Sequence, residues 1–368
     1  MTDSPAARPR TALLAAIAAS ALAAIGIAAW FGRSARSDSD KSPAAGPPSA
    51  AVAAGADSLR IGYSHLSISL PVFVAQEQGL FAKHGIAAQL ERYEDGQLVG
   101  QALVEGKIDV GGYLATPISF NGIQRTGRQL YFVTTQLEDQ KHPVSYLLRR
   151  KTPAGQQPVI KVIADLKDKK IGIFPTLTYK RGIETILKIN GINPDEVTIQ
   201  QVEAQLQPQL LASGAVDALY TVTPPGIAAI GTGAGEILAS GELAPAIFGE
   251  PCPFAQFLIA KSWADAHADE ARRLVKALDE AILFINAHPS EAKELYRIYL
   301  SEVHHQFIPL YPDPLYLTSA ENRDEYYVRI AAKYLQLGVI TKPFDVTGLI
   351  YHGDPVAAVP VPAAAPGK

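Results

Sequence analysis

LRIGYSHLSISLPVFVAQEQGLFAKHGIAAQLERY, residues 59–93, reads as strand, loop, helix and strand. Leu59–Tyr63 is a short apolar run of strand length. Ser64–Ser69 is a hydroxyl-rich loop, and Pro71 suits the first helical turn, where its missing N–H costs nothing. Val72–Ala82 is expected to form one helix and Ala87–Tyr93 the next strand. Two strands joined through a helix make a parallel pair with the helix on its face.

The alternation continues outward from this unit. Gln97–Glu105 reads as a helix closed by Gly106, a residue that tolerates the left-handed cap conformation. Ile108–Gly112 is a strand, Thr116–Arg125 a helix and Leu130–Gln136 a strand. The pattern then restarts, with strands at Lys170–Ile173, Thr198–Val202 and Ala218–Tyr220 and helices at Tyr179–Asn190 and Gln207–Ser213. Glu270–Ala287 has Leu274, Leu278, Ala281, Ile282 and Ile285 at helical spacing before Pro289 ends it. Ser290–Leu300 and Arg323–Leu337 are further helices.

The restart is a faint internal repeat. Arg60-Ile61-Gly62-Tyr63 parallels Lys170-Ile171-Gly172-Ile173, and Leu103-x-x-Gly106-x-Ile-Asp109 parallels Leu211-x-x-Gly214-x-Val-Asp217. Both copies run on into Thr-Pro, at Thr116-Pro117 and Thr223-Pro224. Matching offsets imply two α/β lobes of related plan. Open sheets of this kind bind ligands beyond their strand C-termini and between lobes. The expected site is therefore an interlobe cleft.

The loops facing that cleft supply the candidate ligand-binding residues. They are Ser64, His65, Leu66 and Ser67 after the first strand, and Tyr113, Ala115 and Thr116 after the third. The second lobe offers Thr176, Thr178 and Tyr179, then Thr221 and Thr223. These loops are rich in hydroxyls and poor in charge, which suits a small ligand that is neutral or singly anionic. A multiply charged phosphate would call for Arg or Lys clamps.

Other chemistry has less support. The chain has 368 residues, a net charge of -3 and no strong basic field, which argues against a nucleic-acid partner. Its one cysteine, Cys252 between two prolines, can form no internal disulfide and has no evident base beside it in sequence. Asp109 and Asp217 read as strand-start hydrogen-bond acceptors rather than a catalytic pair. His304 and His305 are adjacent and diverge, so no metal is expected, nor any cofactor.

Two segments lie outside the expected body. Thr11–Phe31 carries no charge, is long enough to cross a bilayer and follows Arg8 and Arg10. It reads as a cleaved secretory signal, with Ala21-Leu22-Ala23 as a cleavage candidate, or as an uncleaved anchor. Its length and Trp30 favour the anchor. Residues 34–57 read as a flexible linker and 355–368 as a low-complexity tail, both rich in Ala and Pro.

The motifs together resemble the nitrate/sulfonate/taurine-type solute-binding proteins of ABC importers. The likeness rests on Ile61-Gly62-Tyr63, on Glu77-x-Gly79-Leu80-Phe81-x-x-x-Gly85, and on Leu103-x-x-Gly106-x-Ile-Asp109-Val-Gly. It continues through Asp165-Leu166-Lys-Asp-Lys169-Lys170-Ile171-Gly172, where Asp168 replaces a usual glycine, and through Leu211-x-x-Gly214-x-Val-Asp217. These are scaffold motifs and do not name the ligand. The resemblance implies a type II periplasmic-binding-protein fold, with lobe one at 58–143 plus 257–354 and lobe two at 144–256. It further implies a monomer in the periplasm or on the outer face of the cell membrane. Its partners would be a small-molecule solute and an ABC permease, with no enzymatic activity. The run Phe174-Pro175-Thr176-Leu177-Thr178 replaces the family's serine- and glycine-rich loop, which weakens a sulfonate assignment. A pyrimidine or an aromatic acid is the alternative cargo, stacked by Tyr113, Phe174 and Tyr179.

Overall fold

The computed structural model describes residues 58–354 apart from His65, and only the backbone of residues 114–116. The expected membrane segment, linker and tail lie outside the described residues. No helix among the described residues is long and apolar enough to cross a membrane.

Eleven strands run in chain order among the described residues. They are β1 (Leu59–Ser64), β2 (Ala88–Tyr93), β3 (Val110–Ala115), β4 (Leu130–Glu138), β5 (Ser145–Arg150) and β6 (Lys170–Ile173). Then come β7 (Thr198–Gln201), β8 (Ala218–Val222), β9 (Gly235–Ser240), β10 (Cys252–Ala260) and β11 (Leu315–Leu317). They form two sheets, one ordered β11-β4-β10-β3-β1-β2 and the other β7-β6-β8-β5-β9.

The two orders are the same plan. In the larger sheet β1 pairs in parallel with β2 and β3, and β10 lies antiparallel between β3 and β4. In the smaller, β6 pairs in parallel with β7 and β8, and β5 lies antiparallel between β8 and β9. Each lobe is thus built around an antiparallel strand that follows a crossing from the other. Strands β5, β9, β10 and β11 carried no clear strand pattern in the sequence. The expected lobe boundary at 256/257 falls inside β10, whose Cys252 already pairs with Glu138 of the larger sheet.

The repeat has a packing cause. A Cβ on Gly62 would lie 2.5 Å from Ile108 Cδ1, and one on Gly172 would lie 2.7 Å from Leu219 Cδ2. Both glycines let a neighbouring side chain press onto the middle strand of the parallel trio in their sheet, β1 in one and β6 in the other. Gly106 and Gly214, also equivalent, share left-handed φ values of 75° and 76°. Arg128 Nη1 and Arg150 Nη1 each lie 2.6 Å from where their Cβ would stand.

One expected helix is two. Leu70–Glu77 and Leu80–Lys83 are separated at Gly79, whose φ of 66° ends the first turn sequence and starts the next. The segment 290–300 likewise divides, into Pro289–Glu294 and Tyr296–Tyr299. The helix Ala268–Ala287 forms as its pattern predicts. Leu274, Leu278, Ala281, Ile282 and Ile285 are fully buried, in the same core cluster as Val72, Phe73 and Val74 of the first helix.

The lobes also touch away from the chain crossings. The 3-10 segment Glu302–Leu310, from the larger lobe's half of the chain, packs on the helix Pro225–Gly231 of the smaller. A side chain at Gly231 would run into the Phe307 ring, so glycine sets this close approach.

Replacing Gly62 with Val should lower stability by about 1–3 kcal/mol, because the added methyls meet Ile108 in a packed core. Urea unfolding checks this; an unchanged midpoint would show that Ile108 can turn aside.

Candidate functional site

Between the two sheets lies a cavity of about 20 Å³. The larger lobe lines it with Ser67, Gln136, Tyr296 and Tyr311, together with Pro312 and Pro314. The β4–β5 crossing adds His142, Pro143 and Val144, and the smaller lobe adds Thr223. A cavity of this size has room for about one water molecule. The pocket is part-open and takes its lining from both lobes.

The candidate residues divide sharply around this cavity. Ser67 and Thr223 both line it, one from each lobe. Ser67 is placed by the short 3-10 turn Ser67–Ser69, and its carbonyl accepts a hydrogen bond from Tyr296 Oη at 2.9 Å. Thr223 follows β8, is nearly buried, and its hydroxyl lies 3.4 Å from Tyr146 Oη.

The other candidates serve the scaffold. Ser64 is buried with its hydroxyl 3.4 Å from that of Ser69. Leu66 packs against the core. Tyr113 is fully buried and shares a 2.7 Å hydrogen bond with Thr134. Thr176 caps the helix Leu177–Ile189 by accepting the Tyr179 N–H at 3.3 Å. Thr178 is half-buried on that helix. The Tyr179 ring sits between Phe174 and Tyr220, with centroids 4.9 and 5.3 Å away. Thr221 donates to Gln207 Oε1 at 2.5 Å, wholly buried. His65 and the side chains of Ala115 and Thr116 lie outside the described residues. The stacking trio of Tyr113, Phe174 and Tyr179 therefore does not line the cavity; Tyr296 and Tyr311 do.

Two polar atoms give the cavity its chemistry. Gln136 and Tyr311 are 5% and 3% exposed, yet Gln136 Oε1 and the Tyr311 hydroxyl have no hydrogen-bond partner. Leaving such an atom unpaired costs about 1–3 kcal/mol. Among the described residues no Lys or Arg lines the cavity. Burial pushes the tyrosine hydroxyls up, Tyr146 to about 12 and Tyr296 and Tyr311 likewise above the ordinary value, so all three stay neutral. The His142 ring lies 2.9 Å from the Asp139 carboxylate. The site can offer hydroxyls, one carboxamide and aromatic faces, without a counter-charge for a strong anion.

Gln136 was within reach of sequence reasoning, since it ends the expected strand Leu130–Gln136, where ligand sites on open sheets lie. Tyr296 and Tyr311 stand in segments with no motif, about 230 residues from the loop they face.

Groups outside the cavity are accounted for. Asp109 pairs with Arg128 at 2.7 Å, and Asp217 accepts the Lys170 N–H at 2.9 Å. Burial and the Glu138 charge push the Cys252 thiol well up, so it is no ready nucleophile. Among the described residues no group of three or more His, Cys, Asp or Glu could hold a metal ion.

A model of the NMT1-like family matches residues 53–300. Curated protein sequences gave no match. Among solved structures, the periplasmic aliphatic sulphonate binding protein SsuA from Escherichia coli superposes with a TM-score of 0.63 at 19% identity, covering 81% of this chain and 98% of that one. The alkanesulfonate-binding protein SsuA from Xanthomonas axonopodis pv. citri, bound to MOPS, gives 0.59 at 20% identity over 79% and 97%. The periplasmic nitrate-binding protein NrtA from Synechocystis PCC 6803 gives 0.57 at 14% over 77% and 82%. At these identities the likeness is one of fold, the two-lobed periplasmic-binding architecture.

Replacing Tyr311 with Phe removes a buried hydroxyl that has no partner. The ligand-free protein should therefore be unchanged or gain about 1 kcal/mol, read as an equal or higher melting temperature. A lower melting temperature would mean the hydroxyl is bonded in solution.

Proposed function

The chain belongs to the NMT1-like family, and from this we propose that it is the extracytoplasmic solute-binding protein of an ABC importer. It would hold a small neutral or singly anionic organic solute between its lobes and deliver it to a permease as a monomer. The observation that carries this reading is the interlobe pocket itself. Both lobes line it, and two of its lining residues, Gln136 and Tyr311, carry polar atoms that the protein leaves unpaired.

The mechanism follows from where the contacts come from. A ligand shifts an open–closed equilibrium only by its differential affinity for the two states. A solute touching Ser67, Gln136 and Tyr311 on one side and Thr223 on the other gains its second set of contacts only on closure. Solute binding would therefore draw the lobes together. We place the exchange between lobes at 138–145 and before Cys252, so that lobe one is residues 58–143 plus the chain from β10 onward. Residues 11–31 would bring the protein to the membrane, as a signal or an anchor.

The second reading, a pyrimidine or aromatic acid as cargo, draws support from Tyr296 and Tyr311, whose rings lie 5.5 Å apart beside the cavity. Aromatic rings of a ligand pack favourably at such spacings. No catalytic role is assigned, since Cys252 is buried and no activated nucleophile faces the cavity.

The test is a thermal-shift screen of the protein with taurine, alkanesulfonates, nitrate, bicarbonate, pyrimidines and aromatic acids. A ligand that binds only the folded state at about 100 times its Kd stabilises it by about 2.7 kcal/mol. One chemical class should raise the melting temperature, and Thr223→Val should weaken that binding about tenfold with the fold intact. Absence of any shift across the panel would count against the transported-solute reading.

A further inference from the structure

The chain crosses between lobes at the end of β4 and returns at the start of β10, and these two points are neighbours: Cys252 is paired with Glu138. Glu138 is the last residue of β4 and is fully buried. Its Oε1 accepts the backbone N–H of Ser145 at 2.9 Å and the Ser145 hydroxyl at 2.5 Å. Ser145 is the first residue of β5, in the other sheet. One carboxyl group therefore ties the two sheets together across the hinge.

The other half of that carboxyl is weakly supported, with the Val144 N–H as a nearby further donor to the group. Oε2 is buried with no hydrogen-bond partner. The groups around it offer no cation. From β5 come Ser145 and Tyr146, from β10 Cys252, and from the smaller lobe Tyr179, Tyr220 and Glu242. Asp139 and Glu250 line the cleft of about 320 Å³ that Glu138 also borders. Arg329, which reaches toward this region, gives its guanidinium to the carbonyls of Phe248 and Pro251 instead. A buried, ionised carboxylate here would face like charges and no counter-ion.

We propose that Glu138 is a positioning residue for lobe closure, which takes up a proton as the hinge closes around it and gives it back as the hinge opens. This rests on the reading of the protein as a two-state, hinged binding protein. Burial in the closed form lifts the Glu138 carboxyl from the usual carboxylate range to about 7, against the opposing effect of the Ser145 and Val144 donors. A hinge that opens to water restores the ordinary value. The closed form then binds the extra proton between the ordinary carboxylate value and about 7. Closure is favoured below that upper limit, and the advantage is lost as pH rises through it. Ligand capture would strengthen on mild acidification and release on return to alkaline conditions.

The experiment reads the lobes directly, without solute. Spin labels at Lys188→Cys in the smaller lobe and Lys276→Cys in the larger, both exposed, report the interlobe distance; Cys252 is buried and stays in place. From pH 8 to pH 6 the closed-to-open ratio of the ligand-free protein should rise by up to about tenfold. Glu138→Gln, neutral at every pH, should abolish the change. Ser145→Ala, which removes a donor that favours the charged form, should move the transition to higher pH. His142, paired with Asp139 on the same crossing, is left in place by Glu138→Gln. A pH response that survives in Glu138→Gln would overturn the proposal and belong to that pair. A native distance distribution that ignores pH would also overturn it. If Glu138→Gln fails to fold by circular dichroism, the direction of the Ser145→Ala shift decides. Because no solute is used, failure of every compound in the thermal-shift panel would bear on the binding reading alone.

Discussion

The antiparallel pairing of β4 with β10 is the constraint from which the two-lobed body follows. Two crossings between lobes could lie anywhere along the facing edges. Hydrogen-bonding one strand to the other places them side by side, from Cys252↔Glu138 to Ala260↔Leu130. Adjacent crossings define one bending line, while distant ones would lock the lobes rigidly. Everything else in the cleft is positioned relative to that line: Gln136 and His142 at its edge, Ser67 and Tyr311 on one side, Thr223 on the other.

The scaffold was legible in the sequence because it repeats for steric reasons. Gly62 and Gly172 must be bare for a neighbour to press on β1 and β6, and Gly106 and Gly214 must be left-handed. Such requirements leave letters in the same places in both copies. The strands β5 and β10 left none, because each is nearly continuously buried and carries no alternation. The long helix Val72–Ala82 failed at Gly79 because one left-handed residue is enough to end a turn.

The site was less legible for a related reason. A loop hydroxyl after a strand can serve a ligand or the scaffold: a Thr at a helix start caps it as Thr176 does, and a buried one bonds a packed side chain as Thr221 does with Gln207. Local sequence satisfies local donors first. Ser67 and Thr223 reach the cavity, whereas Tyr296 and Tyr311 arrive from a C-terminal segment whose position depends on tertiary packing. No spacing in the chain announces that encounter. Within the pocket lining, Gln136 and Tyr311 stand out by an unmet hydrogen bond, a property visible only once every partner has been placed.

The seating of Phe307 against Gly231 is an apolar contact between the lobes. A clasp of this kind acts on time as much as on affinity. On the proposed solute-binding reading, opening of the lobes would first require the ring to lift, so association would be gated by that motion rather than by diffusion. The same ring then slows escape, and the bound complex would be long-lived at modest intrinsic attraction. On the same reading, a transporter docking against both lobes would speed dissociation by helping to pry Phe307 from its glycine.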